Sequence, residues 1–271
     1  MPVKFLTKPP AIFLAIALAL ALLLPLPFAI IQPGPVSDLL GSNIQVASGS
    51  NLVLKPITGK LYSLSVFVNS PSSRPRGIEV LTSWILGSEA VVPFSSVYET
   101  GASNKTEEVL GARQMSSSQQ AATLAAANLI KSLNPEQPLS WKPNDIAFKL
   151  KYVGGPSAGL AFGVALVSRL QDPALIAGRV IAATGTITEN GVVGPIGGIN
   201  QKYISAKRAK ATIFLMPKEN CQDLADLKHK LPGAGNPAPL PKIIAVKSLL
   251  EAVHALADKS TDSNIASAYH C

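Results

Sequence analysis

The longest unbroken feature of the chain is apolar. Residues Ala11 to Ile31 run without a charge and are interrupted only by Pro25 and Pro27. At about 1.5 Å per residue such a run reaches roughly 31 Å, the depth of a bilayer's hydrocarbon core. It is expected to form a transmembrane signal anchor over 11–31, after a cytoplasmic terminus at 1–10 holding Lys4 and Lys8. The Pro- and Gly-containing stretch 32–43 (QPGPVSDLLGSN) predicts a turn-rich linker.

Alternation at Leu64, Val66 and Val68 predicts a strand, and 77–86 a helix. Ala90–Tyr98 is expected to be extended. Met115–Leu133 has a helical period and is rich in Ala, and the prolines of 134–144 mark a loop. Ile146, Phe148 and Leu150 alternate as a strand leading into Gly154-Gly155-Pro156-Ser157. Ser157–Leu170 then reads as a small-residue helix suited to deep burial.

Strand-like runs at 179–187 and 191–193 flank Asn190-Gly191, a pair suited to a type I′ turn. Helices are expected at 200–209 and 222–230, and strands at 212–216 and 243–246. A last helix opens with a Ser248–Glu251 capping box. The polar tail 259–271 is expected to be loose. Strands alternating with helices in the second half predict a mixed α+β fold of short sheets packed with helices, over 44–258.

Composition narrows the function. The 271 residues are 47 % hydrophobic and 15 % charged, with a net charge of +8. The densest basic stretch, Lys207, Arg208 and Lys210, lacks interleaved aromatics, so a nucleic-acid partner is not expected. No GxxxxGK[ST] phosphate loop occurs. Two cysteines, Cys221 and Cys271, and three scattered histidines leave no four-ligand zinc pattern, and no metal or cofactor is expected. Whether the cysteines pair is left open. Trp84 and Trp141 are expected to pack in the core or under loops.

Candidate chemistry centres on Gly155-Pro156-Ser157-Ala158-Gly159. A serine there can simply cap the helix. It can also be a nucleophile whose oxyanion meets the free N–H groups of the helix start. Such a serine needs a base. His254 with Asp223 or Asp226 supplies one order of residues, that of a secreted GxSxG esterase. Lys202 supplies the other. It sits in the first turn of a helix, where a cation opposes the dipole. To act near pH 7 its pKa must fall by roughly 3 units, or about 4 kcal/mol, and only burial provides that much.

GPSAG at 155–159, ATGTITENGVVGPIGGINQK at 183–202 and IFLMP at 213–217 together resemble the proteolytic domain of Lon-type peptidases (endopeptidase La). The anchor and QPGPVSDLLG look more like the membrane-anchored, ATP-independent branch of Gram-positive bacteria. The resemblance implies Ser157 as nucleophile and Lys202 as general base, with Thr184 hydrogen-bonding near the lysine. It places the backbone around Gly155 and Ser157 at the oxyanion site and Gly197-Gly198 before the lysine's helix. It also implies protein or peptide substrates, an extracytoplasmic catalytic domain and a hexameric homo-oligomer. The PDZ module usual in that branch is missing, since only about 18 residues fill its place between Lys131 and Phe148, against roughly 80. The acidic residue two before the proline in ATP-dependent Lon is also absent. A catalytically silent, membrane-tethered scaffold would keep the same fold.

Overall fold

The computed structural model describes residues 8–41, 43–50, 52–139, 141–150, 154–224, 240–258 and 271. The chain divides into two compact units, Met1–Gln32 with Phe67–Asn104, and Pro33–Val66 with Lys105–Cys271.

The first unit opens with helix α1 (Lys8–Leu23). Its last helical bond runs from Leu24 N to Leu20 O (2.9 Å), and Pro25, without an N–H, cannot continue it. Strand β1 (Phe28–Asp38) begins soon after, and its first residues pair antiparallel with β4 (Ala90–Pro93), Ile31 facing Ala90. The membrane-spanning helix expected over Ala11–Ile31 is therefore corrected. The 16 helical residues reach about 24 Å, and Phe28–Ile31 belong to a sheet. Among the described residues no helix is long and apolar enough to cross a membrane. Helix α2 (Gly77–Leu86) completes the unit. Its start is tied to the end of α1 by Gly77 N→Leu24 O (3.3 Å), and a Cβ at Gly77 would lie 1.9 Å from Ala21 O. Trp84, expected to be packed, is 63 % exposed at the end of α2.

The turn-rich linker expected at 32–43 is strand as far as Asp38. Pairing with β4 ends at Ile31, so Pro33 and Pro35 lie where one edge is unpaired and a missing N–H costs little. In the second unit β1 neighbours β3 (Lys60–Val68), which leads to β6 (Val180–Ala183), β9 (Ile213–Pro217) and β10 (Lys242–Val246). The pairs β3·β6, β6·β9 and β9·β10 are parallel. Two short antiparallel pairs stand apart: β2 (Ile44–Val46) with β5 (Ile146–Phe148), and β7 (Thr186–Ile187) with β8 (Val193–Gly194).

The parallel sheet is covered on both faces, which is why β6 and β9 read as continuous apolar runs. Along β9, Ile213 and Leu215 join the larger core, whereas Phe214 and Met216 join a smaller one. The larger core is supplied by α3 (Asn104–Leu133), α4 (Gly159–Leu170) and α6 (Leu249–Ala257). The smaller is supplied by α5 (Ile199–Arg208) through Ile199, Tyr203 and Ala206. Helix α4 is buried over ten consecutive residues, Gly159 to Ser168. The expected 222–230 helix and the tail from 259 lie largely outside the described residues. Trp141 is buried in the larger core.

Candidate active site

Ser157 sits in the turn that enters α4. Gly155 adopts φ 89°, in the left-handed region, and a Cβ there would have open room, so conformation rather than space selects glycine. Ala158 is the capping residue of α4, and no side chain caps that end. The Ser157 hydroxyl is thus not spent on the helix.

Lys202 reaches it from α5. Gly198 begins that helix at φ 66°, and Lys202 N closes the first turn on Gly198 O (3.0 Å). The Lys202 Nζ lies 2.6 Å from Ser157 Oγ and 3.2 Å from Thr184 Oγ1. Thr184, fully buried, donates its own hydroxyl to Ser157 O (3.0 Å), and Gly185 N donates to the same carbonyl (2.8 Å). The strand end at Thr184 is itself held by Thr184 N→Leu215 O (3.0 Å). Ser157, Thr184 and Lys202 therefore meet at one point from three elements.

Lys202 is 2 % exposed. Burial penalises its charged form and lowers its pKa to about 7. A neutral amine at hydrogen-bond distance from a hydroxyl can accept its proton. Two backbone N–H groups complete the arrangement. Among the described residues, those of Ser157 and Ala158 have no acceptor. Of the backbone expected at the oxyanion site, around Gly155 and Ser157, the Gly155 N–H donates instead to Gly111 O on α3 (3.0 Å). Gly155 therefore shapes the turn, while the free donors belong to Ser157 and Ala158, beyond Pro156.

Three supporting residues were not singled out from the sequence. Gly111 packs so closely that a Cβ on Gly154 would stand 3.1 Å from its Cα. Ser118 Oγ donates to Pro156 O (2.9 Å). Asn220, 3 % exposed, clamps the turn ahead of Gly197-Gly198 twice: Ile196 N→Asn220 Oδ1 (3.0 Å) and Asn220 Nδ2→Ile196 O (2.9 Å). His254 lies exposed on α6, and the Ser157 hydroxyl is met by Lys202 instead. Asp223 accepts from Asn220, and Asp226 lies outside the described residues. The esterase arrangement is not assembled here. Among the described residues no group of three or more His, Cys, Asp or Glu could hold a metal.

Cys221 and Cys271 are joined in a disulfide, Cα–Cα 5.1 Å.

Residues 149–246 match the model of the Lon protease (S16) C-terminal proteolytic domain. Lon protease 1 of Bacillus subtilis (strain 168) is 44 % identical over 77 residues, 28 % of this chain and 10 % of its own length. The Lon protease of Chloroflexus aggregans is 41 % identical over 76 residues, 28 % of this chain and 9 % of its own length. That of Azorhizobium caulinodans is 38 % identical over 100 residues, 37 % of this chain and 11 % of its own length. The chain thus spans about a tenth of the length of these curated relatives. The matched segment, 149–246, holds all three converging side chains and is similar to the proteolytic domain of the Lon (S16) family.

Proposed function

We propose that this chain is an ATP-independent serine endopeptidase that cuts extracytoplasmic or membrane-associated proteins through a Ser157–Lys202 dyad. The observation that carries the reading is the buried Lys202 Nζ, 2.6 Å from Ser157 Oγ, with its pKa lowered to about 7. Neutral Lys202 takes the hydroxyl proton as Ser157 Oγ attacks a peptide carbonyl. The tetrahedral oxyanion is met by the Ser157 and Ala158 N–H groups at the start of α4. Protonated Lys202 gives its proton to the leaving amine, and the acyl-enzyme is hydrolysed by a water that neutral Lys202 activates. Thr184 holds the lysine and the Ser157 carbonyl in register.

Independence from ATP is supported by a sequence with no GxxxxGK[ST]. An oxidising, extracytoplasmic setting is supported by the Cys221–Cys271 disulfide. Seating in the membrane through α1 is supported by its uninterrupted apolar surface, as insertion rather than as a helix that crosses. Assembly into a hexameric ring rests on family resemblance.

The test is hydrolysis of casein by the purified chain without nucleotide. Cleavage by the parent protein, unaffected by added ATP and lost in Ser157→Ala, is expected. Equal cleavage by both proteins overturns the proposal.

A further inference from the structure

Helix α1 exposes side chains all the way round. Ile12 is 58 % exposed, Phe13 73 % and Leu14 72 %. Successive helical residues point about 100° apart, so these three face different directions. A protein groove covers one side of a helix; a hydrocarbon medium covers every side.

Helix α2 begins where α1 ends, because Gly77 N bonds Leu24 O and its backbone packs on Ala21. It is two-faced. Ile78, Leu81, Trp84 and Ile85 occupy one exposed arc, Ile85 reaching 74 %. Buried Val80 and Ser83 occupy the opposite arc, and Thr82, Leu86 and Glu79 border the exposed one; the Thr82 and Ser83 hydroxyls bond the Glu79 carbonyl. Glu79 is the helix's only ionisable side chain, and Oε2 accepts from Arg76 N (2.6 Å). Arg74 and Arg76 stand exposed at this joint between the helices.

We infer that α2 is a second membrane contact. It lies along the headgroup boundary of the bilayer that receives α1, with Ile78, Leu81, Trp84 and Ile85 towards the lipid. A two-faced helix at the point where an apolar helix leaves its apolar surroundings is placed at that boundary by connectivity. A tryptophan at its exposed end suits the same zone, and the two arginines suit anionic headgroups. The inference rests on the insertion of α1 proposed above.

The experiment uses the full chain with Trp141→Phe, which leaves Trp84 as the sole tryptophan, bound to phosphatidylcholine–phosphatidylglycerol vesicles. Lipids brominated close to the headgroup should quench Trp84, its emission should shift to the blue, and acrylamide access should fall several-fold. A second chain, with Trp84→Phe, Trp141→Phe and Ile16→Trp, reports α1 alone. Quenching of the Ile16→Trp chain without quenching of Trp84 overturns the α2 contact and spares α1. Quenching of neither overturns both. A Trp84 shielded from acrylamide and bromolipid alike is covered by protein, a second copy, and also overturns the inference. If Trp141→Phe fails to fold, the difference between the parent chain and Trp84→Phe gives the same comparison.

Discussion

Lys202 owes its lowered pKa to burial alone, and that has a consequence for stability as well as chemistry. Between about 7 and 10.5 the unfolded chain binds a proton that the folded chain has released, so stability rises with pH across that window. Lys202→Met removes the penalty, and its gain in Tm over the parent is expected to be larger at pH 6 than at pH 10.5. Equal gains at both pH values would contradict burial of the amine. Thr184 touches both the lysine and the Ser157 carbonyl. Loss of its hydroxyl in Thr184→Val should lower kcat about tenfold, the worth of a hydrogen bond or two, with KM little changed. Steady-state kinetics on one peptide checks it. A rise in KM alone would make Thr184 a substrate contact instead.

At the level of elements, the nucleophile's turn is held by what packs behind it. A Cβ on Gly159 would stand 2.6 Å from Ile187 Cγ2 and 3.0 Å from Ile187 N. Gly159→Ala must push α4 from β7, and urea unfolding should show a loss of about 1–3 kcal/mol. Asn220→Ala frees the turn before Lys202 while leaving Ser157 in place, so it should lower kcat at unchanged pH optimum. The paired motifs made Ser157, Thr184 and Lys202 legible in the sequence, and apolar runs did the same for β9 and α4. Helix α3 starts eleven residues before the expected Met115, because 104–114 is polar and mostly exposed and carries no apolar period. Strand β1 was hidden by its prolines. Gly111, Ser118 and Asn220 act through backbone groups 24 to 44 residues away, contacts that leave no mark in a single sequence.

For the whole molecule, the Cys221–Cys271 bridge closes a loop of 50 residues beside Asn220. Chain entropy assigns such a loop about 4 kcal/mol, so reduction should lower Tm by several degrees, read by calorimetry with and without dithiothreitol. An unchanged Tm would mean that the tail contributes nothing to the fold. The apolar run at the amino terminus was legible as apolar but not as a span, since Pro25 and the pairing of Phe28–Ile31 shorten its helix to 16 residues. The central claim is that Lys202 is the base for Ser157, and the pH dependence of kcat/KM for peptide hydrolysis tests it most directly. The parent chain and His254→Ala should share one ascending limb, rising tenfold per pH unit and levelling above about 7, with Lys202→Ala slower by at least about 100-fold throughout. A Lys202→Ala variant that keeps the parent's rate and limb would contradict the account.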